Sequence, residues 1–100
     1  MIRHIVMWKL KDNALSSSKI ENAVKLKNLL INLKHDIKEI KSISVNVDSS
    51  NIEDNYDIIL TADFDSFEDL TTYQNHPKHV EVAKFVSEIR LSRACIDYKI

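Results

Sequence analysis

The sequence predicts an α+β fold of the split β-α-β-β-α-β type, the ferredoxin-like arrangement of one four-stranded antiparallel sheet with helices on one face. Two observations lead to this prediction. Four segments alternate apolar and polar residues with the period of two that is typical of strands, and the helical units between them repeat apolar residues at spacings of three and four. With 100 residues, the chain is predicted to form a single domain, residues 1–100, around one modest core.

The first predicted strand, residues 2–10, has two different faces. One face is apolar except for a histidine and consists of Ile2, His4, Val6, Trp8 and Leu10. The other face includes Ile5 and Met7, so it is too apolar for a surface that lies in water. A polar connection is predicted for residues 11–17.

The first predicted helix begins after Ser18 and ends at about Leu33. Ser18 and Glu21 form a capping-box pattern, in which a hydroxyl accepts a hydrogen bond from an unpaired amide and a carboxylate lies three residues on. Apolar residues recur along the segment at helical spacing, which predicts an inward-facing stripe. Residues 34–39 are predicted to be a connection that can include a turn of helix, with Ile37 in the core.

Three more strands are predicted, over residues 40–48, 56–64 and 92–100. The first two of these form an antiparallel hairpin, because the polar loop of residues 48–55 between them is short. Glycine is absent from the chain. We therefore expect left-handed turns to use asparagine or aspartate, and a glycine-rich phosphate loop is excluded.

The segment after the hairpin contains the boundaries of two further helices. Ser66, followed by Asp69, repeats the capping-box pattern. Pro77 is the single proline and suits the first position of a helix, because it lacks the N–H that a first turn leaves unpaired. His76 is then expected to be the N-cap or its neighbour, and the last helix runs from Pro77 to about Arg90.

Three chemically capable side chains are predicted to meet in the interior. His79 lies on the inward stripe of its helix, Tyr73 reaches the same volume from across the turn, and His4 is the polar residue on the apolar strand face. A histidine titrates near neutral pH and a tyrosine hydroxyl can hydrogen-bond a carbonyl oxygen, which favours a small-molecule pocket. The predicted walls of this pocket are Trp8, Leu26, Leu30 and Leu60. The alternative is a structural hydrogen-bond network without catalysis.

Composition argues against several other functions. Lysine and arginine number 14 against 15 acidic residues, and a net charge of −1 gives no electrostatic reason to expect nucleic acid or a membrane as a partner. The single cysteine, Cys95, cannot form an internal disulfide and is expected to be a small buried residue. No metal site is predicted, because the capping role directs His76 away from His79. The start of the chain lacks a leader-peptide pattern, which favours a cytoplasmic location.

One face of the predicted sheet has no helices to cover it. That face is expected to contain Ile5, Met7, Ile59 and Thr61, which is more apolar than a solvated sheet face should be. A second copy of the same sheet would cover it. The sequence therefore predicts a homodimer through the open sheet face, with a two-fold axis between the sheets.

Three runs of the sequence form a recognisable set: IRHIVMWKLKD at the start, FDSFEDLTTYQNHPKHVEVAKF in the middle and DYKI at the end. The middle run contains the motif Y-x-x-H-P-x-H, formed by Tyr73, His76, Pro77 and His79. On these residues the chain resembles the stress-responsive A/B barrel (Dabb) family over essentially its whole length. The resemblance implies a dimeric α+β barrel.

The resemblance also implies a chemistry. In the related polyketide cyclases of the olivetolic acid cyclase type, the residues that match Tyr73 and His79 are the catalytic pair, and the match of His4 lines the same pocket. There the histidine is the base of an aldol condensation and the tyrosine holds a substrate carbonyl. By resemblance this chain is expected to bind a small apolar or carbonyl ligand and to act as a cyclase or lyase without any cofactor, with Ile58 and His76 beside the pocket.

The chain departs from those cyclases at two places. Ile58 stands where they have a further pocket histidine, and Lys38-Glu39 replaces the usual Pro-Gly after the first helix. The first difference bears on which substrate is taken. The second is expected to change only a turn.

Overall fold

The computed structural model describes residues 1–100, and its main feature is an antiparallel sheet in the order β4-β5-β1-β6. The strands are β1 (Ile2–Leu10), β2 (Asn13–Ala14), β3 (Ser17–Ser18), β4 (Ser42–Val47), β5 (Ile58–Phe64) and β6 (Arg90–Lys99). The helices are α1 (Lys19–Asp36), α2 (Phe67–Asn75) and α3 (Pro77–Ile89). The predicted ferredoxin-like α+β fold is therefore confirmed.

The central strand β1 shows why the helices lie on one face of the sheet. Its side chains alternate between buried and half-buried along its whole length. Cross-strand pairs keep the two faces separate: Val6 lies opposite Leu60, and Ile5 lies opposite Thr61. The helix-side face joins the core, whereas the open face contains Ile5, Met7, Ile59 and Thr61, as predicted. All four are half-buried.

Helix α1 begins as predicted and ends three residues later than predicted. The Glu21 N–H donates to Ser18 Oγ at 3.2 Å, and the Ser18 N–H donates to Glu21 Oε1 at 2.9 Å, so the capping box is complete. The helix continues to Asp36 because Leu33 and Ile37, four residues apart, are both buried. No proline or glycine interrupts this last turn.

A short hairpin of β2 and β3 lies where the sequence predicted an irregular polar connection. Its two central residues, Leu15 and Ser16, have φ angles of 52° and 61°, the left-handed values that a tight two-residue hairpin turn needs. The expectation that only asparagine or aspartate would take this conformation is wrong here and holds at Asn51, with φ 58°. Asn22 of α1 secures the hairpin by donating from Nδ2 to the Ala14 carbonyl at 3.1 Å.

The break between α2 and α3 has the predicted cap. His76 Nδ1 accepts a hydrogen bond from the Lys78 N–H at 3.1 Å, and Pro77 is the first residue of α3. Ser66 Oγ likewise accepts from the Asp69 N–H at 3.1 Å at the start of α2. Neither α1 nor the two shorter helices is long and apolar enough for a membrane crossing.

A buried carboxylate interrupts the open sheet face. Asp63 Oδ1 accepts from Arg3 Nε at 2.9 Å, and its Oδ2 accepts from Arg3 Nη2 at 3.1 Å and from Ser42 Oγ at 3.0 Å. These bonds, chiefly those from Arg3, hold the pKa of the Asp63 carboxyl below its usual range. Two parallel bonds from one guanidinium fix the edge of this face in a single geometry.

We expect this cluster to make the protein sensitive to acid. Because the pKa of Asp63 is lower in the folded chain than in the unfolded chain, its contribution is present above pH about 4 and is lost as the pH falls through the folded value. The variant Asp63→Asn should be less stable at pH 7 and should lose less stability between about pH 4 and pH 2. Urea unfolding across that pH range measures both effects. Asp54→Asn, in an exposed loop, is the matched control, and an identical pH profile for wild type and Asp63→Asn would contradict the expectation.

Candidate functional site

A cavity of about 270 Å³ lies between the helices and the covered face of the sheet. It brings together His4 from β1, Tyr73 from α2 and His79 from α3, the three side chains that the sequence predicted to meet. Its apolar walls include Trp8, Leu30, Leu60, Val82 and Val86. The cavity is thus mostly apolar with a few convergent polar groups, which is the usual character of a small-molecule site.

The aromatic rings around the cavity pack in a fixed arrangement. The ring centroids of Tyr73 and His79 are 4.5 Å apart, those of Tyr73 and Phe64 are 5.0 Å apart, and those of Tyr73 and His4 are 6.2 Å apart. These are ordinary separations for tilted and edge-to-face pairs. Tyr73 is therefore wedged among three rings, and its side chain has no room to leave the cavity wall.

His79 is held by one hydrogen bond to the preceding helix. Its Nδ1 lies 3.0 Å from the Gln74 carbonyl, which can only accept, so Nδ1 is the protonated nitrogen and Nε2 is left as an acceptor. Burial lowers the pKa of His79, and the bond to Gln74 opposes this shift only in part. The imidazole is therefore neutral at pH 7 and can take a proton.

Two hydrogen-bond donors at the cavity have no partner in the protein. Tyr73 Oη and Trp8 Nε1 are fully buried and neither makes a hydrogen bond. Burial raises the pKa of Tyr73, so its hydroxyl keeps its proton at neutral pH. A buried donor without an acceptor costs free energy, and such groups in native proteins are uncommon. Both donors line the same cavity.

His4 is fixed from the opposite side by an aspartate of the last strand. His4 Nδ1 donates to Asp97 Oδ1 at 2.5 Å, across the antiparallel pair of β1 and β6. In the neutral imidazole, this bond leaves His4 Nε2 as an acceptor. Sequence reasoning missed Asp97 because it lies 93 positions from His4, and only the strand register brings the two together.

Cys95 lies beside this pair and is exposed, which contradicts the expectation that it would be buried. β6 is an edge strand, and most of its side chains remain accessible on both faces. Partial burial and the Asp97 carboxylate raise the pKa of the thiol, which disfavours a nucleophilic role. His4, Cys95 and Asp97 each place one possible ligand atom within 4.8 Å of the others. This is a group of side chains that could hold a metal ion.

Two arginines complete the mouth of the cavity. Arg90 ends α3 and begins β6, and Arg93 lies opposite Trp8 in the β1–β6 pair. Both line the cavity, together with Gln74 and Ser87. None of these four was singled out from the sequence. The alternation of β6 places Arg93 on one strand face, but which face meets the helices depends on the register with β1.

A second depression, of about 580 Å³, lies at the other end of the sheet. It is more open, and Met7 and Ile59 of the open face contribute to it. Its lining has no histidine and no buried side-chain donor that lacks a partner. Its larger volume therefore does not make it the better candidate for chemistry.

Comparison with known proteins is consistent with this architecture along the whole chain. The family model described as "Stress responsive A/B Barrel Domain" (Dabb) matches residues 2–100. The chain belongs to the Dabb family. It is 30% identical over 98 residues to the stress-response A/B barrel domain-containing protein DABB1 of Arabidopsis thaliana. The alignment covers 98% of this chain and 46% of that protein, so the chain spans less than half the length of this curated relative.

Solved structures show the same fold. A dimeric ferredoxin-like protein of unknown function from Bacteroides fragilis is 31% identical, with a TM-score of 0.79 over 99% of this chain and 95% of the other. A hydroxynitrile lyase from Passiflora edulis is 21% identical, with a TM-score of 0.80 over 99% and 92% of the two chains. The second likeness, at that identity, concerns the fold alone. Both similarities extend over almost all of this Dabb domain.

Three residues predicted to border the pocket of this Dabb domain do not line the cavity. Leu26 is fully buried in α1 and is not among the lining residues, and Ile58, the first residue of β5, lines the other depression. His76 uses its ring nitrogen as the cap of α3 and is absent from the lining. Helical spacing correctly predicted which face of α1 is buried. That buried face extends beyond the cavity, so a residue can lie on it without lining the cavity.

The unpartnered hydroxyl of this Dabb domain leads to a stability test. Tyr73→Phe removes a buried donor that has no partner and keeps the packing of the ring. The variant should therefore be as stable as the wild type or up to about 1 kcal/mol more stable. Urea denaturation measures this difference. Tyr56→Phe, at a half-buried tyrosine outside this cavity, is the control. A loss of about 1 kcal/mol or more in Tyr73→Phe would instead mean that the hydroxyl belongs to a structural network.

Proposed function

We propose that this Dabb domain binds a small carbonyl compound between Tyr73 and His79 and acts on it without a cofactor, as a cyclase or lyase. The observation that supports this most strongly is the pairing of a buried, unpartnered hydroxyl with a neutral imidazole in one cavity, at a ring separation of 4.5 Å. An added carbonyl oxygen would give Tyr73 Oη the acceptor that the protein does not provide. The resemblance of these residues to the catalytic pair of olivetolic acid cyclase-type enzymes supports the same assignment.

The proposed reaction uses the two groups together. His79 Nε2 removes a proton from the carbon next to the substrate carbonyl, and the electron pair moves onto the carbonyl oxygen. Tyr73 Oη donates a hydrogen bond to that oxygen as its negative charge develops. The resulting enolate carbon attacks a second carbonyl of the same molecule, and the proton on His79 returns to the new alkoxide oxygen. His4 lines the cavity as a further acceptor oriented by Asp97.

The alternative function is a non-catalytic stress-response module whose histidines and tyrosine are structural. The bonds from His4 to Asp97 and from His79 to Gln74 favour it, because the first joins β1 to β6 and the second joins α3 to α2. The two unpartnered donors oppose it, because a structural network would satisfy Tyr73 and Trp8 as well. The cavity itself also favours a ligand over a filled interior.

A ligand screen separates these functions. Small aromatic and polyketide-like carbonyl compounds should raise the melting temperature of the wild type and shift the NMR signals of Tyr73 and His79. His79→Ala should fold with little loss of stability and bind these compounds at least about tenfold more weakly, because a hydrogen-bonding group at the ligand is lost. His35→Ala, at an exposed histidine of α1, is the control. A large stability loss in His79→Ala together with no ligand response in the wild type would support the structural alternative.

We further propose that two copies of the chain pair through the open sheet face. Several structural relatives are dimeric ferredoxin-like proteins. The open face of this chain adds Ile96 and Tyr98 of β6 to the apolar residues of β1 and β5, since Ile96 lies opposite Ile5. Ile96 is 59% exposed in the single chain, which is a large apolar exposure next to an already apolar face. The cytoplasmic location stays a prediction from the sequence.

Sedimentation tests this pairing with two matched variants. Ile96 and Ile20 are almost equally exposed, at 59% and 60%, but Ile20 lies on α1 and Ile96 on the open sheet face. The wild type and Ile20→Lys should sediment as dimers at micromolar concentration. Ile96→Lys should weaken the dimer by about a hundredfold or more, because it buries an unpaired charge in the interface. A wild-type monomer, or equal behaviour of the two variants, would rule out this interface.

A further inference from the structure

The two arginines at the cavity have no acidic partner. The structure contains ion pairs of Arg3, Lys19 and Lys41 with aspartates, and neither Arg90 nor Arg93 takes part in any of them. A guanidinium is always charged and presents a planar fork of donors that fits a carboxylate. Two such groups beside one cavity are therefore available to an anion from outside the protein.

The cavity as a whole is positively charged. No aspartate or glutamate is among its lining residues. The nearest carboxylate on the strand that carries Arg93 is Asp97, which accepts from His4. His79 is neutral, so Arg90 and Arg93 remain the charged residues of the lining, in a protein whose net charge is −1.

The positive charge of Arg93 affects the pKa values of Tyr73 and His79. Burial raises the pKa of Tyr73, and the positive charge of Arg93 opposes that increase. Burial lowers the pKa of His79, and the positive charge of Arg93 lowers it further. An electrostatic influence on both side chains means that Arg93 acts on the same volume that they enclose. An anion placed against Arg93 would lie close to the Tyr73 and His79 pair.

The buried donors define the other end of the ligand. Trp8 Nε1 and Tyr73 Oη can each donate, and neither has an acceptor. We propose that the cavity selects a small carboxylic acid that also carries a carbonyl group, with the carboxylate held by Arg93 and Arg90 and the carbonyl oxygen facing Tyr73 and Trp8. This inference rests on the proposed small-molecule function and names the chemical class that the function takes.

The energetics favour an acid over an uncharged molecule of the same shape. A carboxylate that leaves water for a partly buried site loses solvation, and charge-assisted bonds from a guanidinium offset that loss. An ester or amide of the acid keeps the rest of the molecule, including its carbonyl group, but cannot form an ion pair with a guanidinium. Charge-assisted hydrogen bonds are worth enough to give the acid an advantage of about tenfold or more.

The experiment compares matched pairs of ligands by NMR titration and calorimetry. Phenylglyoxylate is compared with its methyl ester, and benzoate with benzamide, so that each pair differs mainly in charge. The protein variants are the wild type, Arg93→Gln, Arg90→Gln and Lys84→Gln, the last of which removes a positive charge from an exposed site on α3. Circular dichroism and melting curves establish that each variant is folded.

The expected result is that each acid binds the wild type at least about tenfold more tightly than its neutral partner. Arg93→Gln should abolish that preference and leave the neutral partner unaffected, Arg90→Gln should reduce it, and Lys84→Gln should keep it. Raising the salt concentration should weaken acid binding more than ester binding.

The other outcomes separate the inference from the function on which it rests. Equal binding of acid and neutral partner to the wild type would overturn the acid preference and leave the small-molecule function standing. A preference that survives in both arginine variants would overturn the assignment to Arg90 and Arg93. Failure of every ligand to bind any folded variant, together with no response in the carbonyl screen, would overturn the function and the inference with it.

Discussion

The site depends on the interruption of the helix at Pro77. In a continuous helix the Gln74 carbonyl would accept from the Lys78 N–H, four residues on. Here the Lys78 N–H donates to His76 Nδ1, and the Tyr73 carbonyl accepts from the His76 N–H at 3.2 Å, because Pro77 has no N–H to offer. The Gln74 carbonyl is therefore free to accept from His79. The same break that ends one helix thus sets the tautomer of the histidine and places it beside Tyr73.

A second constraint is the cost of the unpartnered donors. The protein satisfies His4 and His79 with internal acceptors and leaves Trp8 and Tyr73 without any. A chain selected only for stability would remove such donors or pair them, since each one costs free energy when water is excluded. Unpartnered buried polar groups are uncommon in native proteins, and a catalytic role is one of the recognised reasons for them. The two unpartnered donors therefore support our proposal that the cluster binds an oxygen atom of a ligand.

The edge strand β6 connects the two interactions that we propose for the chain. One of its faces carries Ile96 and Tyr98 toward the open side of the sheet, and the other carries Arg93 and Asp97 toward the helix side. Alternation along one strand can therefore serve a partner chain on one side and a small ligand on the other. Substitutions at the β6 positions that face the open side would therefore affect pairing of two chains. Substitutions at the alternate positions, which face the helix side, would affect ligand binding.

The sequence by itself determined the order of the elements, their caps and the inward direction of His4, Tyr73 and His79. These are local properties: alternation, helical spacing and the chemistry of a serine, a histidine or a proline at a helix start act over a few residues. The end of α1 and the hairpin at Leu15 were missed, because a buried Ile37 and a bond from Asn22 override local preference there. Only the tertiary structure decided that Asp97, Arg93 and Arg90 join the site and that Leu26, Ile58 and His76 do not. The physical reason is that the register between β1 and β6 joins residues eighty or more positions apart, and no local pattern encodes which face of an edge strand meets the helices.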